Sequence, residues 1–144
     1  MIIRNIWKDV PEPLELHEDD RGKIVDIFFK ENINHVNSIV SSKGALRGDH
    51  YHKETTQHML MIKGSMEVWY KPAGSNEEPR MVVARAGDLV TNPPMEIHSL
   101  RILEDGTEFI TFSLGLRGGS DYERDTFRVE PSLIPGRKGP QAHF

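Results

Sequence analysis

Residues 44–64 read GALRGDHYHKETTQHMLMIKG. The stretch places His50 and His52 two residues apart, puts Gln57 five residues after the second histidine, and has a glycine at each end. Side chains alternate faces along a β-strand, so residues two apart point the same way. We therefore expect His50 and His52 to direct two imidazoles into one cavity. Such a pair suits either the binding of a metal ion or the transfer of protons.

The sequence around this stretch predicts an all-β domain. Short apolar segments, most with alternating polarity, are separated by turn-forming sequences such as residues 19–22 (DDRG) and 104–107 (EDGT). Strands at such short intervals, with glycine turns between them, are typical of a sandwich or barrel. Lys63 and Gly64 separate two alternating segments and predict a tight hairpin. The expected strands lie at 24–29, 36–40, 59–62, 66–70, 81–84, 89–91, 97–103 and 109–114.

The length predicts one domain, residues 1–144, with a barrel core at about residues 24–115 and an extended arm at each end. Pro11 and Pro13 mark the N-terminal arm, and residues 116–144 form the C-terminal tail. Within that tail, residues 131–144 carry three prolines and two glycines. Their composition favours disorder over an extended path across a partner subunit. We assign no function to residues 121–128 and leave His143 out of the site.

Composition excludes several classes of function. The formal net charge is −4 and the 18 Lys and Arg are scattered, so no nucleic-acid partner is expected. The chain has no cysteine, which excludes disulfides, thiolate metal ligands and cysteine nucleophiles. No segment resembles a signal peptide or a membrane span, so a cytoplasmic protein without a membrane partner is expected.

A second polar cluster lies at residues 87–98, GDLVTNPPMEIH. His98 opens a predicted strand on which Leu100 and Ile102 share its face. By itself, such a histidine is more often a buried residue bonded to a backbone carbonyl. Together with the pair at 50 and 52, it becomes a candidate site residue.

These two stretches resemble the two motifs of the cupin superfamily. The first motif matches at Gly44, His50, His52 and Gly64, with Gln57 in the position of the family's glutamate. The second matches at Gly87, Pro93 and His98, with Met95 in place of glycine. The resemblance spans about residues 35–115 and implies a small antiparallel jelly-roll barrel, typically dimeric, so a homodimer is expected.

Within that superfamily the chain is similar to enzymes of nucleotide-sugar metabolism. The dTDP-4-dehydrorhamnose 3,5-epimerases carry a D-x-RG segment, as at residues 19–22, and a run like residues 41–51. The dTDP-4-keto-6-deoxyglucose 3,4-ketoisomerases carry a run like RGDHYHK at 47–53 and a glutamine at the position of Gln57. The resemblance implies an isomerase for a nucleotide sugar, and it places Arg47 and Arg21 at the substrate.

The leading hypothesis is acid–base catalysis without a cofactor. Hydrogens beside the ketone of a 4-keto-6-deoxyhexose are acidic, and histidine suits both proton removal and proton return near neutral pH. His50 and His52 are the expected catalytic pair, acting through an enolate-like intermediate. The other expected substrate-binding residues are Arg47, Gln57, His98, Tyr70 and Arg21.

Two alternatives stay open. In the first, His50, His52, Gln57 and His98 hold a divalent metal (Fe, Ni, Zn or Mn) for isomerisation or oxygen-dependent chemistry. Gln57 offers no negative charge, so the metal affinity is expected to be below that of a glutamate site. In the second, the domain is a non-catalytic sugar-binding cupin. The sequence names neither the sugar, the nucleotide nor the carbon that reacts.

Strand parity predicts which face of the strand each residue next to the histidine pair occupies. Arg47, Asp49 and Tyr51 have the opposite parity to His50, so a regular strand would direct them away from the cavity. For Asp49 and Tyr51 we expect the outer or dimer face. Gly48 permits a β-bulge that would return Arg47 to the cavity side.

Overall fold

Antiparallel β-strands form nearly all of the fold. The computed structural model describes residues 1–114 and 123–136. Among these residues, no helix combines the length and apolarity needed to cross a membrane. The strands are β1 Ile2–Asn5, β2 Leu16–Asp19, β3 Gly22–Val25, β4 His35–Ser41, β5 Leu46–Tyr51, β6 Thr56–Lys63, β7 Ser65–Pro72, β8 Arg80–Arg85, β9 Asp88–Asn92, β10 Glu96–Ile102, β11 Thr107–Leu114 and β12 Phe127–Arg128.

The strands form two five-stranded sheets and one separate hairpin. The first sheet has the order β1-β9-β6-β11-β4, and the second has the order β12-β5-β10-β7-β8. The strands β2 and β3 pair with each other, and residues 26–29, predicted to continue this strand, leave the ladder. Two antiparallel sheets packed face to face make the jelly-roll barrel that the sequence predicts.

The predicted hairpin at Lys63 and Gly64 is wrong in its pairing. A turn is present, but β6 pairs with β9 and β11, whereas β7 pairs with β8 and β10. The chain therefore crosses from one sheet to the other at Gly64. Alternating polarity on both sides of a turn is common to hairpins and to such crossings, because both strands bury one face in either case.

The core lies between the inner faces of the two sheets. Residues from both sheets interlock there, among them Met59 and Phe109 from the first sheet and Val68 and Leu100 from the second, each with no exposed surface. Strand β11 shows the pattern most clearly, since buried and half-buried residues alternate along its whole length. The core fills the middle of the barrel and leaves polar side chains at one end.

Both arms pack more closely than the sequence predicts. The N-terminal strand β1 pairs with β9 at the edge of the first sheet. In the C-terminal tail, Leu133 and Ile134 are buried, so the expectation of disorder is wrong for residues 131–136. Composition misses this because two apolar side chains suffice to anchor a proline-rich segment. Residues 115–122 and 137–144, which include His143, lie outside the described residues.

Candidate active site

Three buried imidazoles meet at one end of the barrel. The ring centres of His50 and His98 are 4.8 Å apart, those of His50 and His52 are 5.0 Å apart, and those of His52 and His98 are 5.5 Å apart. One nitrogen atom from each ring lies within 4.8 Å of the other two. All three side chains are buried. The structure thus brings together the three histidines that the two sequence motifs single out.

A β-bulge aligns this cluster. His50 lies opposite His98 in the β5–β10 ladder, but Gly48 lies opposite Ser99, so Asp49 is the extra residue. Residues opposite each other in an antiparallel pair share a face. Arg47 lies opposite Leu100, which is on the same face as His98, and the bulge therefore puts Arg47 on the cavity side. Its Nε donates a hydrogen bond to Ser41 Oγ over 2.9 Å.

Asp49 lies on the outer face, as parity predicts, beside the hydroxyl group of Ser99, but it is fully buried there. Its φ of 57° belongs to the bulge. Its Oδ1 accepts hydrogen bonds from the hydroxyl groups of Ser99 and Ser132 and from the backbone N–H of Leu133. The C-terminal segment therefore covers Asp49, which a period of two along one strand cannot reveal. Tyr51, also expected to face outward, is half-buried and stacks on Phe127.

Hydrogen bonds assign the tautomer of two histidines. The Nδ1 of His52 lies 2.8 Å from the backbone oxygen of Asp125. A carbonyl oxygen only accepts hydrogen bonds, so Nδ1 carries the proton and Nε2 carries the lone pair. His98 makes a longer contact of the same kind, 3.4 Å from Nδ1 to the backbone oxygen of Glu96. Both rings then have Nε2 as the nitrogen able to accept a proton.

Burial keeps these rings neutral. Burial, with a smaller contribution of the same sign from nearby His52, lowers the pKa of His98 to about 3. Burial also lowers the pKa of His52, against the opposing effects of the Asp125 carbonyl, the Asp125 carboxylate and the Gln57 side chain. Two positive charges so close together in a buried site are unfavourable. The cluster is therefore suited to accept one proton at a time.

Gln57 and Tyr70 both lie close to the histidine cluster, and their expected roles in binding substrate stay predictions. Gln57 is buried on β6, opposite Asn92 on β9. Its Oε1 makes no hydrogen bond within the described residues, and the same holds for Nε2 of His98. Tyr70 on β7 lies opposite His98 and is half-buried, which places its side chain on the same face at the edge of the cavity. These polar atoms are available to a ligand.

Met95 occupies the position where the second motif has glycine. Its φ of 66° lies in the left-handed region that favours glycine. Its backbone N–H donates to the backbone oxygen of His52 over 2.7 Å. The turn is therefore kept despite the larger residue, and it fixes the backbone of His52.

Arg21 is not brought to the cluster by any contact in the described part of the chain. It lies in the β2–β3 hairpin with an exposed side chain, and its ion pair is to Asp19, with 2.7 Å between Nη2 and Oδ2. Its expected role at the substrate stays a prediction. The residue that sequence reasoning missed is Asp125, from the segment given no function. Its contact with His52 uses a backbone oxygen, which leaves no signal in the sequence.

Acidification from pH 7 to pH 5 is expected to lower the free energy of unfolding by about 2 kcal/mol through His98. The unfolded chain binds a proton at this histidine near its ordinary pKa of about 6.5, whereas the folded ring stays neutral down to about pH 3. Protonation therefore favours the unfolded state throughout this pH interval. Urea unfolding at both pH values, with EDTA present, measures the difference.

The control for this pH effect is His98→Gln, which removes the titrating group. The variant should lose most of the difference between pH 7 and pH 5, with the remainder coming from His52 and His58, whose pKa values burial lowers in the same direction. An equal pH dependence in the variant and the unchanged protein would contradict the assignment to His98.

Comparison with known proteins identifies the family of this chain. The jelly-roll barrel with three histidines at one end has the architecture that the cupin resemblance implies. The family model for the polysaccharide biosynthesis C-terminal domain matches residues 17–114, and the chain belongs to this family. No curated protein matches this chain.

Solved structures share the fold at low sequence identity. The sugar 3,4-ketoisomerase QdtA from Thermoanaerobacterium thermosaccharolyticum, in complex with TDP, has a TM-score of 0.65 and 18% identity over 81% of this chain and 85% of the other. The dTDP-4-dehydrorhamnose 3,5-epimerase from Sulfolobus tokodaii has a TM-score of 0.66 and 20% identity, over 83% and 75%. ChmJ, a 3'-monoepimerase from Streptomyces bikiniensis in complex with dTDP-quinovose, has a TM-score of 0.67 and 20% identity, over 89% and 75%. The resemblance to these two classes of enzyme, expected from the sequence, is confirmed at the level of the fold.

Proposed function

We propose that this protein is a nucleotide-sugar isomerase or epimerase acting on a 4-keto-6-deoxyhexose by proton transfer between histidines and substrate. One observation carries the proposal: His52 is buried with its proton fixed on Nδ1, so its Nε2 can act as a base. Its lowered pKa keeps it in the basic form at neutral pH. The fold shared with ketoisomerases and epimerases supports the choice of substrate class.

For a ketone shift from C4 to C3, the base removes the hydrogen on C3. The electron pair of that C–H bond forms a C3–C4 double bond, and O4 takes up negative charge. The imidazolium then returns a proton to C4, the C3–O bond becomes a ketone, and the proton of the C3 hydroxyl passes to O4. For an epimerisation, the proton returns instead to the same carbon on its opposite face. His50, 5.0 Å from His52 between ring centres, is the proposed second proton carrier in either case.

The remaining cavity residues are proposed to hold the substrate. Arg47 is on the cavity side because of the bulge at Asp49, and its planar guanidinium matches two phosphate oxygens. Gln57, Tyr70 and His98 supply polar groups that bind the hydroxyl and keto oxygens of the sugar. Arg21 would reach the substrate from its hairpin, and this part of the proposal rests on the sequence resemblance alone.

Deuterium uptake tests this function directly. With dTDP-4-keto-6-deoxyglucose in D₂O, the protein should introduce deuterium beside the ketone, and NMR should show which carbon carries it and whether the ketone moves. Absence of uptake from this substrate and from its 3-epimer, with protein that binds the nucleotide, would overturn the proposal. It would favour the sugar-binding cupin that the sequence also allows.

The second candidate is a metal site, and the spacing of the histidines favours it. Three nitrogen atoms within 4.8 Å of one another, with the Oε1 of Gln57 available nearby, fit a divalent ion such as Fe, Ni, Zn or Mn. Such an ion would polarise the keto oxygen of a bound sugar. The lowered pKa values of His52 and His98 suit this candidate as well, since a metal ligand must be unprotonated.

Elemental analysis of protein purified without an affinity tag separates the two candidates. Proton transfer without a cofactor predicts far less than one ion per chain, and Gln57→Glu is expected to raise metal uptake by restoring an anionic ligand. Stoichiometric metal that is lost in His98→Ala but kept in His17→Ala, which changes an exposed histidine, would instead establish the metal site.

We also propose that the protein is a homodimer, on the strength of the cupin resemblance. Val36 and Val40 on the edge strand β4 are more than half exposed. A second copy of the chain that covers these two side chains would remove their apolar surface from water and so stabilise the dimer. Sedimentation equilibrium gives the molecular mass that decides this.

A further inference from the structure

The segment after the barrel core contacts the candidate site at Asp125. Asp125 lies beyond β11, where the sequence offers no motif, and it is buried. Its backbone oxygen accepts the hydrogen bond from Nδ1 of His52 over 2.8 Å. Its side chain takes no part in that bond. The carboxylate instead binds the loop that follows the histidine.

The carboxylate of Asp125 accepts four hydrogen bonds from this loop. The backbone N–H groups of Lys53, Glu54 and Thr55 donate over 2.9, 3.1 and 2.9 Å, and the hydroxyl of Thr55 donates over 2.8 Å. Successive N–H groups that converge on one carboxylate form an anion-binding concavity. Burial raises the pKa of Asp125, but the hydrogen bonds outweigh it and leave the pKa below its ordinary value. The group is thus ionised at neutral pH and accepts all four bonds.

Neighbouring contacts fix the same segment along β5. Phe127 lies opposite Tyr51 in the ladder and stacks on its ring, with 5.4 Å between ring centres. Lys53 Nζ lies 4.3 Å from the centre of the Phe127 ring. The N–H of Val129 donates to the backbone oxygen of Asp49. These contacts hold the segment beside His52, while the carboxylate sets the position of residue 125 itself.

We propose that Asp125 is a positioning residue, whose carboxylate holds its own backbone oxygen against Nδ1 of His52 and so keeps the lone pair on Nε2. Histidine in water favours the tautomer with the proton on Nε2, which would leave no base at that nitrogen. The carbonyl reverses this preference because it accepts a hydrogen bond and cannot donate one. The consequence for catalysis rests on the proposed function, but the tautomer does not.

Nitrogen-15 NMR of the His52 ring, with and without the carboxylate, tests this inference. The unchanged protein should show a protonated Nδ1 and an unprotonated Nε2. In Asp125→Ala the backbone oxygen is still present but no longer held, so the ring should lose its Nδ1–H signature. Because this variant leaves three backbone N–H donors without their acceptor at once, Asp125→Asn serves as a milder change, and the signature should then be weakened. Thr55→Val, which removes one of four hydrogen bonds, should change little.

Turnover gives the second measurement. In Asp125→Asn, kcat should fall about 10- to 100-fold, the usual cost of losing a group that orients a functional ligand or base, while KM stays within about threefold. Glu123→Gln is the matched control, since it breaks an exposed ion pair with Arg128 in the same segment and should leave both constants unchanged.

The NMR measurement and the turnover measurement can each contradict a different claim. A His52 ring that keeps its Nδ1 proton in Asp125→Ala and Asp125→Asn overturns the positioning role, whatever the activity. Absence of turnover in the unchanged protein overturns the proposed function, and the NMR result then still decides the role of Asp125. If Asp125→Ala does not fold, Asp125→Asn carries the decision.

Discussion

Replacing His52 by asparagine is expected to lower the rate of deuterium uptake by a 4-keto sugar about 10²- to 10⁴-fold, the range that one acid or base contributes. The amide nitrogen of asparagine occupies nearly the place of Nδ1 and can still donate to the Asp125 oxygen. The variant therefore still makes a hydrogen bond to the Asp125 oxygen, as His52 does over 2.8 Å in the unchanged protein. What is lost is Nε2, the nitrogen that accepts the proton.

The matched control is His17→Asn, which changes an exposed histidine of the β2–β3 hairpin whose ion pair is to Glu15. It should leave the exchange rate unchanged. Affinity for the free nucleotide, measured by calorimetry, should be the same in both variants. A His52→Asn protein that binds nucleotide and exchanges at the original rate would show that another group removes the proton.

Gly48→Ala is expected to cost about 3 kcal/mol in the free energy of unfolding, or a fall of about 10 °C in Tm for a chain of this size. Gly48 has a φ of 94°, a conformation that alanine adopts only with strain. An added Cβ would also lie 2.6 Å from the backbone oxygen of His98, which is fixed in the β5–β10 ladder. Movement of either strand would displace His50 relative to His98.

Gly44→Ala separates the cost of backbone strain from the cost of the close contact with β10. Gly44 has a similar φ of 84°, but nothing lies within 4 Å of an added Cβ. It should therefore lose only the strain energy, about 1 kcal/mol, and keep full catalytic activity. Chemical unfolding and the exchange assay on both variants check this. Equal losses of stability would mean that the close approach of β5 to β10 is not what requires glycine at position 48.

The sequence was sufficient where the site depends on residue type and strand parity. His50, His52, His98 and Gln57 all lie where two motifs and an alternating pattern place them. The pattern was insufficient where one residue is added to a strand. Asp49 is buried because the C-terminal segment covers it, and Arg47 returns to the cavity side because the bulge shifts the parity by one. Gly48 hinted at the bulge, but its exact place depends on the partner strand β10.

Other features depend on contacts that no local pattern records. The crossing at Gly64 looks the same as a hairpin until the pairing of β6 with β11 is known. Leu133 and Ile134 are too few to stand out in a proline-rich tail, yet they suffice to anchor it. The bond from His52 goes to a backbone carbonyl, and every residue type provides that group.

The bond between His52 and Asp125 also sets when the site becomes complete. It joins residues 73 positions apart, and among the described residues every strand except β12 lies within residues 1–114. During synthesis the chain emerges from its N-terminus, so β1 to β11 leave the ribosome before residue 125 does. The hydrogen bond that orients the His52 ring therefore forms only after β1 to β11 have emerged.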